Sequence, residues 1–344
     1  MVTLMKWYDT TGNGHDVVIS SRVRLARNLE EFPFAAKLDR ETSKKIADKV
    51  VAALQSGLAE ELTVTEMNAL GHAKNVLVED HLISPDFCAE SSLERVLVTD
   101  KNNNLAVMIG EEDHVRIQSI YSGLALDKAY ETALRADEAL SKSVSVAFDE
   151  TLGYLTACPT NLGTGLRASV MLHLPAMSAY GYIKSLTGLM TKIGLTVRGI
   201  YGEGSEAQAC MYQLSNQITL GVSEKDAIEK LAGACSQVVA KERELRSQMV
   251  KNPSSDISDK LWRSYGTLKY ARRLDAAEAA RLISNVRLGA ACGIIPDCKD
   301  INLVKLLFEI MPAHILSQFP DATTPEKRDV YRAGFIRSVL DAKQ

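Results

Sequence analysis

A chain of 344 residues is long for one compact domain and comfortable for two. Its 46% hydrophobic and 24% charged residues are ordinary for a globular protein, and a formal net charge of -3 excludes a general attraction to nucleic acid. No stretch approaches the roughly 18 consecutive apolar residues of a membrane span, and Met1–Asp16 lacks the basic segment and apolar core of a signal peptide; a cytoplasmic location is expected.

Asp16–Arg24 alternates in the manner of a strand, and Thr42–Gln55 is helical with Ile46, Val50, Val51 and Leu54 on one face. Arg95–Thr99 and Leu105–Ile109 read as strands around the turn-rich Asp100-Lys101-Asn102-Asn103-Asn104, followed by a strand at Val115–Ile120. A helix rich in Ala, Leu, Glu and Lys covers Leu126–Ser141. Two strands then flank the turn Cys158-Pro159-Thr160-Asn161-Leu162-Gly163-Thr164-Gly165: an apolar run at Leu152–Ala157 before it, and Arg167 with the apolar run Ala168–Leu174 after it. Ser178–Ile193 reads as a helix, Thr196–Ile200 and Met211–Ser215 as strands, and Ser223 as the N-cap of a long helix reaching about Val250.

Composition shifts at Lys251-Asn252-Pro253-Ser254-Ser255-Asp256, a short linker. Beyond it the pattern is helical at Ile257–Ala271, Ala276–Ala291, Lys299–Met311 and Pro325–Leu340. The expected architecture is α+β: a mixed, antiparallel-sheet domain over residues 1–253 and a small all-helical domain over 254–344. The six cysteines (Cys88, Cys158, Cys210, Cys235, Cys292 and Cys298) form no C-x-x-C pair and are expected to be free thiols; no zinc site is expected.

The chain lacks a G-x-x-x-x-G-K-[ST] loop, a G-x-G-x-x-G after a strand, and the H-R-D and D-F-G signatures. A nucleotide would therefore be held by side-chain cations. Arg22 and Arg24 sit two apart on one strand and share a face; Arg116, Arg167 and Arg198 lie at strand ends. Forked guanidinium groups of this kind clamp a triphosphate, although each arginine taken alone reads more readily as a surface or salt-bridge residue.

Gly110-Glu111-Glu112-Asp113-His114 sets three carboxylates in succession between two strands, which is tolerated best where cations bind but also describes a solvated acidic turn. Gly202-Glu203-Gly204-Ser205-Glu206 is a second acidic, glycine-rich loop. Together with the Cys158 turn, these loops suit one chemistry. A guanidinium has a pKa above about 12 and is a poor nucleophile until a carboxylate holds it and takes its proton. Arginines and Mg²⁺ neutralise a transferring phosphoryl group, and a thiolate beside the guanidinium orients it.

Ser20-Ser21-Arg22-Val23-Arg24, Gly110–His114, Cys158–Thr164 and Arg198-Gly199-Ile200-Tyr201-Gly202-Glu203 resemble, in this order, the motifs of the phosphagen (guanidino) kinases over about residues 15–250. The resemblance implies an antiparallel sheet flanked by helices, with ATP and Mg²⁺ as cofactors. It also implies Glu112 as catalytic base, Glu203 as a second guanidinium-holding carboxylate, Glu111 beside them, and Cys158 as the active-site cysteine. Arg22, Arg24, Arg116, Arg167 and Arg198 then form the phosphate clamp. Ser20, Ser21 and Val23, Ala168, Ser169, Val170 and Met171, and Gly199, Ile200, Tyr201 and Gly202 lie in the same nucleotide-binding stretches, and His81 is the residue packing on adenine. No residue is assigned to a metal.

Two departures bear on the substrate. The Ser-x-Arg-x-Arg motif begins at residue 20, so the helical N-terminal domain of creatine and arginine kinases is expected to be missing and the site to be open. Gly110 stands where an asparagine is usual. Downstream, Arg328-Asp329-Val330-Tyr331-Arg332-Ala333 places two arginines four apart on a helix with an aspartate beside them. In a helical domain after an open guanidino kinase domain, this resembles the phospho-arginine pocket of the protein arginine kinase branch, with Arg328, Asp329, Arg332 and Ala333 as its residues. That branch implies protein substrates with exposed arginines, an McsA-type activator, a Clp ATPase/protease, a stress-response repressor and a homo-oligomer. A small-molecule guanidino kinase and a non-catalytic phospho-arginine reader are the alternatives.

Overall fold

A computed structural model describes residues 5–199, 208–251 and 255–342. In chain order the elements are β1 (Val18–Arg27), α1 (Arg40–Gly57), β2 (Leu62–Glu66), α2 (Lys74–Glu79), α3 (Pro85–Cys88), β3 (Val96–Asp100), β4 (Leu105–Ile109), β5 (Val115–Ser122) and α4 (Leu126–Ser141). They continue with β6 (Phe148–Asp149), β7 (Gly153–Tyr154), β8 (Leu166–His173), α5 (Pro175–Ala179), α6 (Ile183–Lys192), β9 (Leu195–Gly199), β10 (Met211–Asn216) and α7 (Glu224–Lys251). Helices α8 (Ser255–Tyr270), α9 (Ala276–Ala291), α10 (Leu303–Glu309), α11 (Pro312–Gln318) and α12 (Pro325–Asp341) complete the chain.

The main sheet runs β2-β3-β4-β5-β1-β8-β10-β9, and β6 and β7 make a separate hairpin. The β2·β3, β3·β4, β4·β5 and β5·β1 pairs are antiparallel. The α+β class with flanking helices is therefore as the sequence indicates. Compact packing divides the chain into one unit of residues 1–13, 20–170 and 215–233, and another of 14–19, 171–214 and 234–344. The expected domain boundary after residue 253 falls on 252–254, outside the described residues.

In the first unit, β1 alternates: Val23 and Leu25 are fully buried, while Arg22 and Arg24 face outward and are half-buried. Register with β5 sets Arg24 opposite Gln118 and Ala26 opposite Arg116. Directly opposed residues share a face, so Arg22, Arg24, Gln118 and Arg116 stand on one side of the sheet. Helix α1 starts where the Asp39 carboxylate accepts the Thr42 N–H at 2.8 Å, and it buries Ile46, Val50 and Leu54. Helix α4 buries Leu126, Ala129, Ala133, Ala136 and Leu140.

In the second unit the helices after α7 have a core of their own, with Leu261, Leu268, Leu274, Ile283, Val286, Leu306, Ile310 and Ile336 among its buried members. Full burial of each such side chain contributes about 1.5–3 kcal/mol before the entropy of ordering is set against it. Ser223 caps α7 by accepting the Asp226 N–H at 3.0 Å.

Three elements differ from the sequence reading. Only Gly153–Tyr154 of the apolar run before Cys158 pairs as a strand. The expected helix at Ser178–Ile193 is interrupted at Gly181 (φ 74°), which separates α5 from α6. The expected helix at Lys299–Met311 is ordered as α10 alone, begun by Asn302 capping the Lys305 N–H. The short β2 and α11 carry too few periodic residues to be read from the pattern.

Candidate active site

The loop joining β4 to β5 closes through Gly110 N–H donating to the His114 carbonyl at 3.0 Å. Gly110 has φ 88°, and a Cβ there would lie 2.5 Å from the Glu94 carbonyl oxygen. The close approach as well as the dihedral demands glycine, which accounts for its place before the acids.

The loop then separates its three carboxylates. Glu111 is buried; both its oxygens face Arg116 Nη1, at 2.9 and 2.7 Å, and the Ser84 hydroxyl donates to one of them. Asp113 is buried and accepts from Asn28 Nδ2 and from the Ala157 N–H, both at 2.7 Å. Glu112 alone points outward, its side chain 48% exposed and 3.7 Å from Arg116 Nη2. Like-charge repulsion is relieved because each acid has different company. His114 is buried and neutral: it accepts the Leu29 N–H on Nδ1 and donates from Nε2 to the Pro33 carbonyl, and burial holds its pKa below the usual value.

The Cys158 turn is closed by Asn161 N–H to the Cys158 carbonyl (3.0 Å) and Gly165 N–H to the Asn161 carbonyl (2.9 Å). Sγ of Cys158 lies 3.1 Å from the Thr160 hydroxyl. Two groups grip the far side of the turn. Thr219 Oγ1 sits 3.1 and 2.7 Å from the carbonyls of Thr160 and Leu162. Arg27 Nη1 donates to the Thr164 carbonyl at 3.0 Å. Arg27 is fully buried but fully answered, by Asp137 at 2.8 Å, by Glu224 at 3.4 Å and by the Tyr154 ring 3.5 Å away.

A cleft of about 100 Å³ is lined by Arg24, Arg116 and Arg167 together with Glu112, Cys158, Thr160 and Asn161. The sequence-predicted base, thiol and three of the clamp arginines therefore meet in one hollow. Arg24 is pushed well below the usual guanidinium range by burial and by the neighbouring cations Arg22, Arg116 and Arg167, against the opposing pull of Glu111, and among the described residues its buried Nε has no hydrogen-bond partner. Four cations stand close together here, with Glu111 and Glu112 the carboxylates beside Arg116, and such an excess of positive charge fits a polyanion such as a nucleotide triphosphate.

His81 stands at φ 59°, a strained conformation for a non-glycine residue. Gln118 Nε2 holds it there, donating to its carbonyl at 2.8 Å. Burial, then the Arg22 cation, lower its pKa to about 3, so its ring is neutral at physiological pH.

The other expected residues fall as follows. Ser20, Ser21, Val23, Ala168, Ser169, Val170 and Met171 are buried in the sheet, and Ser21 Oγ is engaged with Gly123 and Ala125. Arg198 is exposed and Gly199 half-buried at the end of β9. Ile200, Tyr201, Gly202 and Glu203 lie outside the described residues. Among the described residues no group of three His, Cys, Asp or Glu side chains is placed to hold a metal ion. A Mg²⁺ ion held mainly by nucleotide phosphates needs only one or two protein carboxylates. Sequence reasoning missed Asn28, Ser84, Gln118, Thr219 and Arg27, whose roles are hydrogen bonds between segments far apart in the chain.

In the helical region, Arg332 is buried. It donates from Nε to the Ile310 carbonyl (2.8 Å) and from Nη1 to the Leu274 carbonyl (2.8 Å) and Asp329 (2.7 Å). Arg328 is half-buried, with Nη1 3.1 Å from the Thr323 carbonyl; Ala333 is buried.

Residues 44–245 match the family model described as "ATP:guanido phosphotransferase, C-terminal catalytic domain", and residues 254–344 match "Protein-arginine kinase McsB C-terminal domain". The protein-arginine kinase of Halothermothrix orenii is 41% identical over 339 residues, covering 98% of this chain and 97% of that protein. The chain belongs to the protein-arginine kinase family. The relative from Pelotomaculum thermopropionicum is 42% identical over 336 residues, covering 96% of this chain and 94% of its own.

Among solved structures, the duplicated taurocyamine kinase of Schistosoma mansoni with bound transition-state analog components superposes with a TM-score of 0.62 at 29% identity. That match covers 75% of this chain and 38% of that duplicated one. Lombricine kinase superposes with a TM-score of 0.61 at 24% identity over 70% of this chain and 71% of that one, which speaks to fold alone. As a member of this family the chain is a phosphotransferase, and its family implies ATP as the phosphoryl donor. Among the described residues no helix is long and apolar enough to cross a membrane.

Proposed function

We propose that this protein-arginine kinase works through the cleft at Arg24, Glu112 and Cys158. Glu112 holds the substrate guanidinium and removes its proton, with Glu203 as the second carboxylate and Cys158 as the wall that orients it. Arg22, Arg24, Arg116, Arg167 and Arg198 bind the ATP phosphates, and His81 packs on the base. Glu111 acts by fixing Arg116. Mg²⁺ bound with the nucleotide would neutralise phosphate charge. The observation that carries this reading is the partition of the acidic loop: of three adjacent carboxylates, only Glu112 is free to face the cleft.

Glu112→Gln keeps the shape and loses the base. Turnover is expected to fall by about 10²–10⁴-fold, read as acid-labile phospho-arginine on an arginine-rich protein by mass spectrometry. Undiminished phosphorylation would remove Glu112 from this role. Free arginine in a parallel reaction tests small-molecule kinase activity.

We infer the finer biology from the resemblance of the Arg328-Asp329-Arg332 motif. Phospho-arginine binding there would tune activity, and a Clp protease would degrade the marked proteins. A stress-response repressor would be one target, an McsA-type partner would activate, and the enzyme would work as a cytoplasmic homo-oligomer. Stimulation of turnover by a phospho-arginine peptide, lost in Arg328→Ala, is the expected sign of the regulatory site.

A further inference from the structure

One carboxylate oxygen joins the two catalytic loops. Asp113 Oδ1 accepts the Ala157 N–H and Asn28 Nδ2, each at 2.7 Å. Asp113 follows Glu112 directly and Ala157 precedes Cys158 directly, so the bond ties the peptide beside the base to the peptide beside the thiol. Asn28, just past β1, completes the joint. Its Nδ2 also donates to the Leu155 carbonyl at 3.0 Å, and its Oδ1 accepts the His114 N–H at 2.9 Å. Both side chains are almost wholly buried, at 1% and 2% exposure, so water does not compete for these bonds.

The rest of each loop is held independently. Thr219 and Arg27 fix the far half of the Cys158 turn. Arg116 fixes Glu111, and Pro33 and Leu29 fix His114. The near end, Leu155–Ala157, has no strand pairing within the main sheet; the Ala147 carbonyl accepts the Leu155 N–H at 3.0 Å, and Asn28 and Asp113 hold the Leu155 carbonyl and the Ala157 N–H next to Cys158.

We propose that Asp113 and Asn28 are a positioning pair that sets the distance between Glu112 and Cys158, and hence the rate of the chemical step. The proposal rests on the roles given above to Glu112 and Cys158. Neither member of the pair lines the cleft. Loosening the joint therefore lets the base and the thiol drift while the arginines on β1, β5 and β8 stay in place. Misplacement of a reacting group by about 1 Å can cost about a hundredfold in rate.

The test is steady-state kinetics on the full chain, with a protein substrate and ATP varied separately. Asp113→Ala is expected to lower kcat about a hundredfold with the ATP KM within about twofold of the parent. The isosteric Asp113→Asn retains an acceptor and loses less. Asn28→Asp sets a carboxylate against Asp113 and lowers kcat strongly. The N28D/D113N pair restores a donor facing an acceptor and recovers about tenfold or more over N28D. A thermal melt accompanies each variant. Should Asp113→Ala fail to fold, the comparison of D113N with N28D and N28D/D113N carries the test.

Wild-type kcat in D113A and N28D beside an inactive Glu112→Gln would overturn the positioning role and leave the base assignment standing. A kcat loss matched by an equal rise in ATP KM, or no recovery in the double variant, would equally overturn it. An active Glu112→Gln would remove the base assignment and this proposal with it.

Discussion

Arg24, in the cleft, and Arg332, in the helical region, both rise from regular elements into surroundings drier than bulk water, and what answers their charge is opposite. Arg332 donates to two main-chain carbonyls and to Asp329 inside the fold. Arg24 has a buried Nε without a partner and lies among Arg22, Arg116 and Arg167, whose cations lower its pKa further once burial has done so. Removing one partner from a charge answered inside the fold is costly, whereas the cations around Arg24, with Glu111 the carboxylate that opposes them, leave room for an incoming anion. Arg27 shows that the distinction is not a matter of strand or helix. It lies three residues from Arg24 on β1, is fully buried, and is neutralised by Asp137 and Glu224.

The comparison breaks first at Arg332. Truncating it to Ala would leave two buried carbonyls without their donor and Asp329 with only the more distant Arg273 at 3.7 Å, and a loss of about 3–5 kcal/mol is expected, read from denaturant unfolding. A loss under about 1 kcal/mol would mean Arg332 is not a structural strut.

At Arg24 the opposite signs are expected. Arg24→Gln should lower kcat/KM for ATP by about 10²–10³-fold, the usual effect of removing one group that stabilises transition-state charge. The same change should raise the melting temperature of the nucleotide-free protein, because a poorly solvated cation among like charges has gone. A lowered melting temperature would show that Arg24 is answered within the fold after all.

Buried histidines give a smaller, pH-dependent effect. His81 titrates at about 3 against an ordinary 6.5, with burial and then Arg22 as causes, and His173 is likewise lowered well below 6.5, by burial and by Arg287 and Arg246. Both are neutral when folded, so as pH falls below about 6.5 the unfolded chain takes up their protons first. Stability is fully present above that pH and is lost as pH falls, for His81 down to about pH 3, by up to about 1.4 kcal/mol per pH unit for each histidine. His81→Gln should flatten the dependence between pH 6 and 4 in unfolding experiments, and an unchanged slope would show that His81 is not held neutral.

The parts of this molecule legible in its sequence are those fixed locally. Helices α4 and α9 coincide with their periodic runs because apolar spacing, and at α9 the Asp275 cap, decide them within one segment. Motif order likewise pointed to Glu112, Cys158 and the arginines that meet in the cleft. What stayed illegible depends on partners far away in the chain. Which of three consecutive acids faces out is decided by Ser84, Arg116 and Asn28, and spacing says nothing of that. Leu152–Ala157 looks like a strand by composition, yet its backbone beyond Tyr154 is drawn off by Ala147, Asn28 and Asp113. The same limit applies to Arg328 and Arg332. Their spacing puts them on one side of α12 but does not say that Ile310 and Leu274 close over the second of them.

The smallest effect on stability is expected at Arg328, and it sharpens the comparison most finely. Its Nη1 donates to the Thr323 carbonyl at 3.1 Å, and it sits in the first turns of α12, where the helix dipole disfavours a cation. Arg328→Ala should therefore change unfolding free energy by less than about 0.5 kcal/mol. If the motif binds phospho-arginine, the same substitution should abolish binding of a phospho-arginine peptide, measured by calorimetry, while Arg332→Lys, which keeps charge but loses the fork, weakens folding and binding together. Two arginines four residues apart would then divide the labour that Arg24 and Arg332 divide across the molecule: Arg332 holds the helix in place, and Arg328 is left for the ligand. Undiminished peptide binding by Arg328→Ala would show instead that the motif is structural throughout.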